Sequence, residues 1–270
     1  MSDDPGMASS VSLPVFGFVT VHERPLADGM AQEARWCEQV AATGRAVAHL
    51  WQGVPGFVVP RRYERLPRWR EACAAAVARG RSVQVRASGG GLVPQGPGVW
   101  NLSLVWRAPQ AAPVDTTSLY AAFAGELAAA LERLGLRAST QAVQGSFCDG
   151  RFNLAIDGRK CIGTAQAWRR IAGQPVVLLH AVIVASAEPN RLTDEANAFE
   201  ADAGSESRYR SEALVSVAQA CRAAMSASAP VSEAPCEARL LTALAEQFAR
   251  VVPPHVHGDE AASASALRSE

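Results

Sequence analysis

Lysine is almost absent from this chain of 270 residues: of its 26 basic side chains one, Lys160, is lysine and the rest are arginine. Net charge is absent too, because 26 acidic residues balance the basic ones. A neutral chain lacks the cationic footprint of non-specific nucleic-acid binding, which argues against that class. No apolar run reaches the roughly eighteen residues that a membrane span needs. The first residues, Met1 to Ser12, carry Asp3 and Asp4 and lack the basic-then-apolar layout of a signal peptide. The six cysteines (37, 73, 148, 161, 221 and 236) contain no CxxC pair. Without an export signal they are expected as reduced thiols, and the protein as cytoplasmic. His255 and His257 form a lone His-x-His, too little for a zinc site, so no metal site is expected.

What is present is a substantial apolar fraction, 49% of the residues, enough for a core without metals or disulfides. The spacing predicts a first strand over 14–21, a helix over 27–43 closed by Gly44, and strands over 45–52 and 56–59. A helix follows over 63–79, broken early by Pro67, then a strand over 82–86 that runs into three glycines. Residues 99–107 alternate as a strand with Trp100, Leu102, Leu104 and Trp106 on one face. An Ala-rich helix spans 116–134 and a strand 136–143. Three strands, over 152–156, 159–168 and 175–185, form an antiparallel meander, with Asp157-Gly158 as the first hairpin turn. Helices are expected near 193–203, 211–227 and 235–250, with a loop over 226–235. Residues 1–12 are expected to be disordered and 253–270 to form a flexible tail.

Two stretches carry chemistry. The first is Val85-Arg86-Ala87-Ser88-Gly89-Gly90-Gly91, where consecutive glycines let a ligand approach the main chain and Arg86 adds a fixed cation. It is neither a dinucleotide fingerprint, which fails at Pro94, nor a P-loop, since no Gly-Lys-Ser/Thr follows. The second runs from Gly145-Ser-Phe-Cys148-Asp-Gly to Gly158-Arg-Lys160-Cys-Ile-Gly163-Thr164-Ala-Gln166. A loop thiol becomes a strong nucleophile when cations lower its pKa, and Lys160 and Arg151 are the candidates. Lys160 is an ammonium in a chain that elsewhere uses the wider, planar guanidinium, which marks a position where a compact charge is needed.

Together these stretches resemble the catalytic domain shared by lipoate–protein ligases, octanoyltransferases and biotin ligases. Arg86, Ser88, Gly89, Gly90, Gly91, Gly98 and Asn101 match the family's glycine-rich motif. Gly158, Arg159, Lys160, Gly163, Thr164, Ala165 and Gln166 match its lysine motif. The likeness covers roughly residues 15–250, so 13–252 is expected to be one catalytic domain. Gly-Ser-Phe-Cys148 and Val-Arg-x-Ser-Gly-Gly look most like the octanoyl–protein amidotransferases. Val85 stands where many ligases have an arginine and Gln95 where many have histidine, whereas Gly91-Leu92 is closer to the ligases.

The resemblance implies an α+β fold with a mixed, mostly antiparallel sheet flanked by helices and a small helical C-terminal segment. It implies transfer of octanoyl or lipoyl to a lysine of a lipoyl-domain protein or a glycine-cleavage H protein. Cys148 would be the nucleophile and Lys160 would hold the acyl carbonyl. Arg86, Ser88, Gly89, Gly90, Gly91, Asn101, Gly163, Thr164, Gln166 and His180 would line the substrate site. No cofactor is implied for a transferase; ATP and magnesium are implied for the alternative, a lipoate–protein ligase. A non-catalytic binder of lipoate or a carrier protein is the third reading. His180, inside an apolar strand, has an equally simple structural reading.

Overall fold

A computed structural model describes residues 13–87, 89–109, 115–225 and 235–249. The expected disordered N-terminus, the tail over 253–270 and most of the loop over 226–235 lie outside the described residues, as does Ser88.

The fold is α+β. In chain order the strands are β1 (Thr20–Val21), β2 (Val47–Gln52), β3 (Gly56–Pro60), β4 (Ser82–Arg86), β5 (Val93–Gln95), β6 (Val99–Arg107), β7 (Ser139–Gln141), β8 (Asn153–Ile156), β9 (Arg159–Ile171) and β10 (Gln174–Val184). The helices are α1 (Gly29–Thr43), α2 (Trp69–Ala78), α3 (Thr116–Glu132), α4 (Pro189–Ala203), α5 (Val217–Met225) and α6 (Cys236–Phe248). Seven strands form one sheet in the order β1-β2-β6-β10-β9-β8-β7, antiparallel except for β1 beside β2. A second sheet has the order β4-β3-β5.

Period-two side-chain alternation gives the large sheet two different faces. One face carries Leu102, Leu104, Val177 and Leu179 and is covered by α3, α5 and α6 through Phe123, Leu127, Val217, Leu240 and Leu244. The other carries Trp51, Val105, Val176 and Leu178, against which α1 packs Trp36, Cys37 and Val40. The small sheet, with α2 and α4, forms a separate apolar layer around Phe57, Val59, Leu92 and Phe199. Helix α1 starts where Asp28 accepts a hydrogen bond from the Ala31 amide at 2.9 Å and ends at Gly44 in the left-handed conformation. Asp157 and Gly158 both have positive φ, 49° and 75°, as a tight β8–β9 hairpin requires.

Several expectations are corrected: the strand expected over 136–143 is only β7, and the helix expected near 211–227 opens with a 3-10 turn (Ser211–Ala213) before α5. The first strand shrinks to Thr20–Val21. The helix expected over 63–79 is broken at Pro67, as anticipated; the part before the break is a 3-10 turn (Arg61–Arg65) instead of an α-helical one, and α2 follows, because the ring removes a donor and cannot continue the coil. Cys221 and Cys236 are joined in a disulfide between α5 and α6 instead of standing as separate thiols. Strand β5, inside the stretch after the glycines, was not anticipated.

Candidate functional site

Between the two sheets lies a cavity of about 620 Å³. Its floor follows from the sheet's alternation. Leu178, His180, Val182 and Val184 of β10 point into it, and they stand beside Ala167, Ala165 and Gly163 of β9. These small residues leave room that larger ones would fill. Val58, Val85 and Val93 of the small sheet form the roof, and Met30 and Glu33 of α1 form one end. Phe147, Cys148 and Lys160 line the same space. The lining is mostly apolar, with polar and charged groups that include Arg61, Arg86, Lys160 and Arg169, a composition suited to a small ligand with an apolar body and a polar end.

Cys148 sits in the loop between β7 and β8 with φ of 49°, a left-handed conformation that a non-glycine residue holds only when its surroundings impose it. Those surroundings are identifiable. Lys160 Nζ donates to the Phe147 carbonyl and, at 3.0 Å, to the Cys148 carbonyl. Asn153 Nδ2 donates to the Cys148 carbonyl at 3.2 Å. Asp149 accepts from the Val143 amide at 2.8 Å and closes the loop on itself. A Cβ on Gly90 would lie 2.5 Å from Cys148 Sγ, so only glycine permits the thiol to stand there. A Cβ on Gly163 would lie 3.0 Å from Lys160 Nζ.

The charges are arranged around that thiol. Lys160 is buried, and burial pushes its pKa down to about 8, against the pull of the neighbouring Cys148 and Asp149. Arg86 is also lowered by burial, with Cys148 as its strongest compensating partner. Its guanidinium donates to the carbonyls of Val58 (3.0 Å), Gly89 (3.0 Å) and Gly91 (2.6 Å), fixing the glycine loop as well as the local charge. The cation facing the thiol beside Lys160 is therefore Arg86, not Arg151. Arg151 is exposed, lies over the Phe152 ring at 4.9 Å and reaches Thr117.

At the α1 end, His180 Nδ1 meets Glu33 Oε1 at 2.5 Å, and Glu33 also accepts from Ser103 Oγ at 2.6 Å. Trp51 Nε1 donates to Ser103 at 2.9 Å. Burial alone would raise the Glu33 pKa; the charge and hydrogen bond of His180 and the bond from Ser103 outweigh it and hold it below the ordinary value. His180 thus lines the cavity and is also hydrogen-bonded to the buried Glu33 carboxyl.

The other anticipated residues divide clearly. Gly89, Gly163, Thr164 and Gln166 line the cavity. Gly90 and Gly91 abut Cys148. Asn101 does not line it: fully buried, it exchanges hydrogen bonds with Gln95 at 2.8 and 3.3 Å and so holds that wall residue. Asn153 and Glu33, which line the cavity, were not singled out as site residues. For Asn153 the sequence signal is a polar residue at the head of an apolar strand directly after the cysteine loop. A second hollow of about 210 Å³, lined by Thr116, Tyr120, Arg151 and Phe152 among others, shares Asn153 and Thr164 with the first.

Residues 25–223 match the family model for the lipoyl protein ligase A/B catalytic domain. An uncharacterised protein of Cupriavidus necator is 40% identical over 227 residues, 80% of this chain and 89% of that one. An octanoyl-[GcvH]:protein N-octanoyltransferase of Kyrpidia tusciae is 33% identical over 67% of this chain, and the match spans 65% of that relative's length. Among solved structures, a putative lipoate protein ligase from Thermoplasma acidophilum with bound lipoic acid superposes with a TM-score of 0.59 at 16% identity, covering 86% of this chain and 85% of that one. A lipoate-protein ligase A bound with ATP gives 0.57 at 16% identity, with the same coverage. The chain belongs to the lipoyl protein ligase A/B catalytic-domain family.

Proposed function

We propose that this protein moves an octanoyl or lipoyl group onto a lysine of a lipoyl-domain protein or a glycine-cleavage H protein, through a thioester on Cys148. The observation that carries the reading is the thiol itself: held in a left-handed conformation, at the wall of an apolar cavity, between Arg86 and Lys160. The relatedness to octanoyl-[GcvH]:protein N-octanoyltransferases supports the substrate class.

In the first half-reaction the Cys148 thiolate attacks the acyl carbonyl of the carrier-bound group. The carbonyl carbon becomes tetrahedral, its oxygen takes the negative charge, and collapse expels the carrier's lysine amine, which takes up a proton. In the second, the acceptor's lysine amine attacks the thioester, an amide bond forms, Cys148 leaves as thiolate, and the proton lost by the attacking amine balances the one taken up by the departing amine in the first. Two of the three Lys160 ammonium protons are committed to the Phe147 and Cys148 carbonyls. The third is available to the developing oxyanion, together with amides of the glycine loop; losing one such donor typically costs about 10²–10³ in rate. The apolar walls exclude water, which protects the thioester from hydrolysis.

ATP and magnesium belong to the ligase alternative. Arg86, the cation beside the glycines, already donates to three main-chain carbonyls, which favours the thiol route over one that grips phosphates. Incubation with an octanoylated carrier should give an octanoyl adduct on Cys148 by mass spectrometry, and Cys148→Ala should abolish both adduct and transfer. Full transfer by that variant would refute the thioester. Pyrophosphate release from lipoate and ATP would establish the ligase instead, and tight carrier binding with neither product would leave a binding protein.

A further inference from the structure

A fully buried carboxylate lies behind the thiol loop and takes no part in the chemistry above. Glu200 of α4 has no exposure, and its Oε1 accepts from the hydroxyls of Tyr63 (2.6 Å) and Tyr209 (2.7 Å). Its Oε2 is buried and has no hydrogen-bond partner among the described residues. Burying a carboxylate in this way is unfavourable, and an apolar residue of similar size would fill the space at less cost. Stability therefore does not account for it.

The arrangement reaches the site. A Cβ on Gly91 would stand 3.4 Å from the Tyr209 hydroxyl and 3.4 Å from the Cys148 main-chain nitrogen, so three segments converge where Gly91 has no side chain. The Tyr209 ring meets the Phe147 ring edge-on at 4.8 Å, one residue before the thiol. The Tyr209 main chain is fixed on both sides by Asn197, at 2.8 and 2.9 Å, and the next amide, of Arg210, donates to the Gly145 carbonyl at 2.9 Å. Arg86, whose charge faces Cys148, Tyr63 and Tyr209, bonds the Gly91 carbonyl on the other side. The Cys148 carbonyl is held by Lys160 and Asn153; on its amide side the preceding residue, Phe147, packs against the Tyr209 ring.

We propose that Glu200, Tyr63 and Tyr209 form a buried brace that positions the thiol loop against the glycine loop, Glu200 acting on Cys148 through Tyr209. Both hydroxyls remain donors over the working pH range. Burial first, then the bond to Glu200, pushes Tyr63 up to about 12, and burial and the Glu200 charge push Tyr209 up as well. These are positioning residues: none touches the reacting carbonyl. The inference rests on Cys148 being the nucleophile, and its test reads the thiol directly so that it stands apart from the acyl-transfer reading.

The test uses Tyr209→Phe, which keeps the ring against Phe147 and removes only the hydroxyl, with Glu200→Gln and the double variant, all in the full chain. Iodoacetamide alkylation of Cys148, followed by peptide mass spectrometry across pH, should show the midpoint moving upward in Tyr209→Phe as the thiolate loosens from Arg86 and Lys160. The octanoyl-transfer kcat should fall about tenfold, the scale of a small misplacement, with the carrier KM and the melting temperature little changed. The double variant should lose no more than the worse single variant, as members of one device do. An alkylation profile and kcat equal to wild type in Tyr209→Phe, or losses that follow the melting temperature alone, would overturn the brace. If wild type transfers no acyl group, the function proposed above fails, while the alkylation profile still decides this inference.

Discussion

Lys160 shows how much one side chain settles. A guanidinium in its place would carry the charge but not the shape, because Nζ reaches two adjacent carbonyls from a buried position and lies against the open face of Gly163. Lys160→Arg should therefore lower transfer by about 10²–10³, the usual cost of losing such a donor, and a single-turnover assay would measure it. The pH dependence follows with a definite sign. The ammonium is charged below its lowered pKa and neutral above it, so transfer should fall as pH rises through about 8. A rate that stays flat well above that pH would mean the charge is not used. The importance of this residue was legible because lysine is so rare here. Its partners were not: main-chain carbonyls leave no mark in composition, and Asn153 reads as an ordinary polar residue at a strand end. Arg151 illustrates the opposite error, where nearness along the chain to Cys148 does not decide where a side chain turns: its guanidinium lies over the Phe152 ring and reaches Thr117.

Among the elements, the glycine loop and strand β9 matter most to the site. Gly90 has φ of 98°, and its missing Cβ leaves the place that Cys148 Sγ occupies. Gly90→Ala should strain the loop and displace the thiol, lowering acylation by roughly 10²-fold while the cavity still binds its apolar ligand; acyl-adduct yield and ligand titration separate the two. Strongly periodic elements were readable. Strand β6 falls at Val99–Arg107, as its alternation indicates, and β8, β9 and β10 form the meander that Asp157-Gly158 announces. Short elements were not. Strand β5 has three residues and contains Pro94; it exists because Phe57 and Val58 of β3 present an edge to pair with. Local pattern cannot supply that tertiary reason. The same holds for β1, where Thr20–Val21 pair with His49–Leu50 and the apolar residues before them do not extend the ladder.

For the whole molecule, the large sheet separates two tasks. Its cavity side bears the site, while α3, α5 and α6 on the other side carry the largest apolar core. The disulfide between Cys221 and Cys236, fifteen residues apart, lies in that second layer. Cys236→Ser should therefore lower stability by about 3 kcal/mol, the scale of a closed loop of this length, with transfer activity unchanged in the native state; chemical denaturation beside an activity assay would show it. The fold class was legible from the motifs, since strands and helices of these lengths in this order fit the family domain. The separation of the thiol loop and the glycine loop by some sixty residues gave no hint that Glu200, farther still along the chain, would stand behind both. One consequence of the sealed Lys160 concerns what the protein does not do to itself. A protein with the proposed activity, handing acyl groups to side-chain amines, must not label its own exterior. Every basic side chain of this chain but one is arginine, and its single lysine is buried beside the Cys148 loop, so under the proposed function an acceptor protein would meet no rival lysine on its surface.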